Sequence, residues 1–88
     1  MKIIKFTAIW CPGCLVMKKV WNNIEKKYNI ETNDYDYDID YDLREKFAIG
    51  KTLPVTIFLD KDDRELERLV GEVSEKKLIS TIEKYREM

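Results

Sequence analysis

Eighty-eight residues, 44% of them apolar and 38% charged, bound this chain to one small globular domain, residues 1–88, with a strongly ionic surface. Sixteen basic against 17 acidic residues leave a net charge of −1, which argues against the net basic face that nucleic-acid binding needs. No apolar run approaches the ~18 residues of a membrane span, and Lys5 interrupts the N-terminal stretch that would otherwise read as a signal-peptide core.

Residues 2–9, KIIKFTAI, are short and rich in β-branched and aromatic side chains, which predicts a strand. From Cys14 the period changes. Cys14, Met17, Trp21, Ile24 and Tyr28 recur at helical spacing with Val20 beside them, and the lysines of the segment fall largely on other faces. Pro12 suits the start of that helix, where its fixed φ fits and its missing N–H costs nothing. Between Ile30 and Ile39, Tyr35, Tyr37 and Ile39 alternate with Asp34, Asp36 and Asp38, the pattern of a second strand. Asp42 and Glu45 have the spacing of a capping box, opening a short helix with Leu43 and Phe47 one turn apart before Gly50. Pro54 precedes the apolar run of a third strand, where proline is tolerated at the first position. The charged turn Asp60–Asp63 joins it to a fourth strand over Glu65–Val70. Ser74 is placed to cap a last helix whose buried stripe is Leu78, Ile79, Ile82 and Tyr85. The order β-α-β-α-β-β-α predicts an α/β fold: a four-stranded mixed sheet flanked by three helices. Right-handed crossovers would make the first three strands mutually parallel, with the hairpin adding an antiparallel edge.

The chemistry concentrates in Trp10-Cys11-Pro12-Gly13-Cys14, which holds both cysteines of the chain. A strand followed by Cys-X-X-Cys at a helix start suits thiol–disulfide exchange. The amides and dipole of the helix N-terminus favour an anion on Cys11, the expected nucleophile. Cys14, one turn inward, would resolve the resulting mixed disulfide. Two other readings compete. Structural zinc sites take four Cys or His ligands, and this chain has two cysteines and no histidine, so a metal would need carboxylates or a second chain. A permanent structural bridge is disfavoured in the reducing cytosol where a chain without a leader stays. The spacing in a βαβ context favours the redox reading. It needs no metal and no bound cofactor beyond a redox-active Cys11–Cys14 disulfide.

The same five residues resemble the Trp-Cys-Gly-Pro-Cys signature of the thioredoxin superfamily with its central dipeptide reversed. Thr52-Leu53-Pro54, about forty residues on and before an apolar strand, is similar to that superfamily's cis-proline segment, and Val70-Gly71 follows the fourth strand as a glycine does there. The likeness covers nearly the whole chain but lacks the N-terminal β-α unit of full-length thioredoxins. It implies a minimal thioredoxin-like fold and a thiol–disulfide oxidoreductase acting on protein disulfides as a cytoplasmic monomer. It further implies a cis Pro54 packed against the cysteine pair, and a docking surface of Trp10, Pro12, Gly13, Leu53 and Gly71. Electrons would come from a flavoprotein of the thioredoxin-reductase type. Proline directly after Cys11 and the sequence Thr52-Leu53-Pro54 are also similar to glutaredoxins, which use glutathione; Trp10 and the single Gly71 rank that reading second. A third reading is a binding module whose disulfide switches partner affinity without turnover.

Two departures from the family stand out. Lys5 occupies the place, six residues before Cys11, where thioredoxins carry a buried acid, and Asp36 falls where they carry a lysine. Either Lys5 snorkels to solvent, or Lys5 and Asp36 form an inverted pair beneath the site that modulates ionisation of Cys14. Without an extra N-terminal strand, residues 32–38 become a sheet edge, and the aspartates protect it against strand pairing. The same residues, Asp34 to Glu45, match a calcium-loop spacing except that Ile39 replaces the required glycine, and the Tyr/Ile alternation favours the strand. Glu72, beside the expected docking surface, is a candidate for partner choice by charge.

Overall fold

The computed structural model describes residues 1–30 and 32–86. Its elements run β1 (Lys2–Thr7), α1 (Pro12–Tyr28), β2 (Thr32–Asp36), α2 (Tyr41–Lys46), β3 (Val55–Leu59), β4 (Glu65–Val70) and α3 (Glu75–Tyr85). The four strands form one mixed sheet in the order β2-β1-β3-β4.

Alternation along the central strands divides the interior into two layers. On one face Ile3, Phe58 and Leu69 meet Met17, Trp21 and Ile24 of α1 and Leu78 and Ile82 of α3. On the other, Ile4, Phe6, Val55, Ile57 and Leu59 are covered by Tyr35, Tyr37, Leu43, Phe47, Ile49 and Leu53. Every residue of β3 is buried, as a strand with neighbours on both sides and helices on both faces must be. The helical period read from Cys14 onward holds: Cys14, Met17, Trp21 and Ile24 are the buried residues of α1. Ser74 caps α3, its Oγ accepting from the Lys77 amide at 3.1 Å.

One expectation about direction is overturned. β1 pairs with β2 in parallel but with β3 antiparallel, so the first three strands are not mutually parallel. The reason lies in the link between β2 and β3. A six-residue helix rises only about 9 Å, short of the ~17 Å length of a five-residue strand. The chain enters β3 at the end of the sheet where it left β2, and that end carries the cysteines.

Three element bounds also shift. β1 ends at Thr7 rather than residue 9; the Cys11 amide donates to the Ala8 carbonyl at 3.2 Å, and Ile9 and Trp10 turn outward. The strand expected over residues 30–39 is short, ending at Asp36, and its residue 31 lies outside the described residues. Asp36 Oδ1 accepts from the amides of Asp38 and Ile39 at 2.8 and 3.2 Å, closing a turn of the kind aspartate favours. Ile39, expected on the inner face, is 73% exposed in consequence. Helix α2 starts earlier than the Asp42–Glu45 pattern implied. Asp40 is its N-cap residue, but the Asp40 carboxylate reaches back to the Asp36 amide at 2.7 Å. As expected from the sequence, β2 is a sheet edge, with Asn33 and Asp34 exposed on it.

A dithiol at the start of helix α1

Cys11 is the N-cap residue of α1, in extended backbone conformation (φ −97°, ψ 108°), with Pro12 opening the first turn. Helix N-caps are ordinarily oxygen-bearing side chains that accept a first-turn amide. Here a sulfur takes that role: the Cys14 N–H donates to Cys11 Sγ at 3.2 Å. The pair is asymmetric as a result: Cys11 stands at the N-cap and accepts the Cys14 amide, whereas Cys14 lies within the first turn.

The two unbridged thiols are buried together with Ala8, and Leu53 and Tyr37 pack against them. Burial pushes the Cys14 thiol up to about 12; its hydrogen bond with Cys11 adds to this, the Ala8 main chain pulls the other way, and Cys11 and Glu72 contribute negative charge. The folded chain thus holds this proton above ~8.5, where a cysteine of the unfolded chain loses it. A raised folded value stabilises the fold fully below the unfolded value and ceases to do so as pH climbs through the folded one. The dithiol form should therefore lose stability from about pH 8.5 upward, towards the folded value of about 12. Urea melts at pH 7 and pH 10 check this: the wild type should lose more than Cys14→Ala between the two.

The Leu53–Pro54 peptide is cis. Pro54 and Cys14 line the same cavity, and the Pro54 carbonyl accepts from the Gly71 amide at 2.8 Å. Gly71 has φ +85°, a conformation that a side chain disfavours. Glu72 lies across the helix start; a methyl group on Gly13 would stand 2.9 Å from Glu72 Cγ.

Trp10 is exposed beside the pair, and what holds it was not evident from the sequence. Its Nε1 donates to Asp38 Oδ2 at 2.8 Å, and its ring meets the Tyr37 ring edge-on at 6.0 Å between centroids. Arg44 fixes Tyr37 in turn, its guanidinium 4.5 Å from the ring centroid and Nη1 donating to the Tyr37 carbonyl at 3.0 Å. The aspartate–tyrosine tract thus presents the tryptophan. Among the described residues no group of three or more His, Cys, Asp or Glu is placed to hold a metal ion, and residues 34–36 of the calcium-loop spacing form the end of strand β2.

The expected partner of Lys5 is corrected. Lys5 does not snorkel; its side chain is 8% exposed, and Nζ lies 3.2 Å from Asp34 Oδ1 rather than against Asp36. Parallel register sets Lys5 opposite Asp34 and Thr7 opposite Asp36. Asp36 instead spends its carboxylate on the turn amides described above.

This architecture defines the thioredoxin fold, with an N-capping Cys-X-X-Cys at one end of the sheet and a cis-proline in the same cavity. Comparison with known proteins agrees. The thioredoxin family model matches residues 1–84. Thioredoxin H3 of Arabidopsis thaliana is 30% identical over 86 residues, 96% of this chain and 70% of the relative. A thioredoxin of Borreliella burgdorferi is 32% identical over 63 residues, 70% of this chain and 54% of the relative. The chain spans between roughly half and 70% of the length of the curated relatives it matches. Among solved structures, thioredoxin 1 of Thermosipho africanus superposes with a TM-score of 0.85 at 29% identity, over 99% of this chain and 96% of that one. Thioredoxin-2 of a malaria parasite gives 0.86 at 32% identity, over 94% and 81%. The chain belongs to the thioredoxin family. No helix among the described residues is long and apolar enough to cross a membrane.

Proposed function

We propose that this protein is a thiol–disulfide oxidoreductase that reduces protein disulfides in the cytoplasm as a monomer. The observation that carries the reading is Cys11 as N-cap of α1, its sulfur accepting the Cys14 amide at 3.2 Å. Ile9, Trp10, Leu15 and Val70 are exposed apolar side chains flanking the cysteines or ending β4 at the same end of the sheet, and apolar side chains left exposed in this way suit the docking of a polypeptide. With Pro12, Gly13, Leu53, Pro54 and Gly71 these form the docking surface.

The cycle follows from the asymmetry of the pair. Cys11 thiolate attacks one sulfur of the substrate disulfide, forming the Cys11–substrate bond and releasing the other substrate sulfur as a thiolate that takes up a proton. Cys14 then attacks Cys11, forming the Cys11–Cys14 disulfide and releasing the second substrate thiol. Two electrons pass from the dithiol to the substrate, so the cycle needs no bound cofactor. An external dithiol donor, such as a flavoprotein of the thioredoxin-reductase type, restores the pair.

A glutaredoxin-like cycle would use glutathione instead. The Glu72 side chain across Gly13 weighs against it, because glutathione is a small anion that this carboxylate repels. The deciding assay reduces the oxidised protein with thioredoxin reductase and NADPH, or with glutathione and its reductase, and follows reduction of a protein disulfide. Turnover is expected with the first system. Turnover with glutathione alone would overturn the choice, and failure with every dithiol donor would overturn the oxidoreductase reading.

A further inference from the structure

Glu72 is exposed and makes no hydrogen bond or ion pair among the described residues. Other carboxylates at the cysteine end of the sheet are engaged: Asp38 accepts from the Trp10 indole, and Asp36 from two turn amides. A methyl group built on Gly71 would stand 3.6 Å from Thr52 Cγ2, yet Lys51, next to that threonine in sequence, makes no ion pair with Glu72. A solvated carboxylate is ordinary on a protein surface; the position of this one is not. It follows Gly71, whose amide is tied to the Pro54 carbonyl at 2.8 Å, and its side chain lies over Gly13, between the two cysteines. A methyl group built on Gly13 would stand 2.9 Å from Glu72 Cγ, 3.2 Å from Cδ and 3.4 Å from Oε2. The missing side chain at residue 13 leaves the space that this carboxyl arm occupies.

The charge is felt by the cysteine pair. Burial holds the Cys14 thiol protonated, and Glu72 is the carboxylate that adds to this. An unneutralised Glu72 therefore opposes the Cys14 thiolate that resolution needs. A peptide whose cysteine is joined to Cys11 brings its flanking residues, about 3.3 Å apart along an extended chain, to this end of the sheet. Charges interact there over a Debye length of about 8 Å at physiological ionic strength. The exposed apolar side chains at the same end, Ile9, Trp10, Leu15 and Val70, offer contact area with no preference for charge. Glu72 supplies one, and charge complementarity of this kind sets the choice of partner more than raw affinity.

We propose that Glu72 is a specificity-determining residue: its carboxylate, set over Gly13 between the two cysteines, selects protein disulfides flanked by lysine or arginine and disfavours those flanked by acidic residues. The proposal rests on the thiol–disulfide reading above and names its substrate class. The bonds made and broken are those of the cycle already described. A cation docked on Glu72 also neutralises the charge that opposes the Cys14 thiolate, so recognition and resolution favour the same substrates.

The test uses peptides of one sequence, blocked at both ends, each carrying a single cysteine as a mixed disulfide with thiopyridine. They differ only in the residues beside that cysteine, lysine in one and glutamate in the other. Attack by Cys11 at the peptide sulfur releases pyridinethione, the better leaving group, and attack by Cys14 then releases the peptide as a free thiol. At low ionic strength the dithiol wild type should react with the lysine peptide about tenfold faster than with the glutamate peptide. That is about threefold gained from an exposed ion pair and a similar factor lost to repulsion. Glu72→Gln should bring the ratio to within about twofold of unity, and Glu72→Lys should invert it. Salt at about 1 M, where the Debye length is ~3 Å, should abolish the preference in the wild type. The ratio is the decisive readout, because both peptides meet the same thiolate and any change in thiol reactivity cancels. An unchanged ratio in Glu72→Gln overturns the proposal, as does a wild type that prefers the glutamate peptide or neither. Failure of the wild type to release free peptide thiol from either substrate would remove the oxidoreductase reading itself, a result distinct from the others.

Discussion

Cys14→Ser should stop the protein at the mixed disulfide and turn a catalyst into a trap. Cys11 keeps its place as N-cap in this variant, because the bond it accepts comes from the main-chain amide of residue 14 and not from that residue's side chain. Attack on a substrate disulfide therefore survives. Resolution does not, because a serine hydroxyl is far too weakly acidic to attack a disulfide at neutral pH, and turnover should fall on the order of 10³-fold or more, the scale on which loss of a covalent nucleophile acts. Non-reducing electrophoresis and mass spectrometry of extracts from cells expressing the variant read what has accumulated. A general reductase collects several proteins through Cys11. A glutaredoxin-like enzyme collects glutathione, and a redox-switched binding module collects one partner or none. Cys11→Ser is the control: it should trap nothing while remaining folded. Equal trapping by both variants would contradict the assignment of Cys11 as nucleophile.

A cysteine pair at a helix start was legible before any fold was known, because the information lies within a few residues. Helical spacing marks Cys14, Met17, Trp21 and Ile24 as one face, and a proline after the first cysteine marks the helix start. Ser74 and the stripe of α3 were legible for the same reason: caps and periods are local. What the sequence concealed depends on how distant segments meet. The direction of β3 is set by its pairing with β1, and helical spacing alone does not announce that. The partner of Lys5 depends on strand register, which sets it opposite Asp34. Counting offsets from the cysteines pointed to Asp36 instead. Ile39 continued an alternation that the Asp36 side chain had already ended by capping a turn. The role of Asp38 at Trp10 was hidden among aspartates of identical composition, each with different work.

The second large effect concerns stability. Phe58→Ala should cost about 3–5 kcal/mol, the usual range for deleting a buried aromatic ring. Phe58 is fully buried on the face of β3 that both long helices cover, in one cluster with Trp21 and Ile24 of α1 and Leu78 and Ile82 of α3. The Tyr85 ring lies 6.5 Å from it, centroid to centroid. Removing the ring leaves a void beneath two helices at once, and neither can close it without leaving the other. A domain of this size has a total stability of only about 4–13 kcal/mol, so the variant is expected to be partly or wholly unfolded at 37 °C. Ile39→Ala, at an exposed position, should stay within about 0.5 kcal/mol. Urea denaturation of the dithiol forms compares the two, and a loss below about 1 kcal/mol for Phe58→Ala would show that the helices hold the sheet without it. Phe58 pairs with Ile3 near the start of β1, whereas the cysteines follow that strand's other end. Its loss should consequently reduce the fraction of molecules that react with a disulfide, and leave the rate of those that remain folded unchanged.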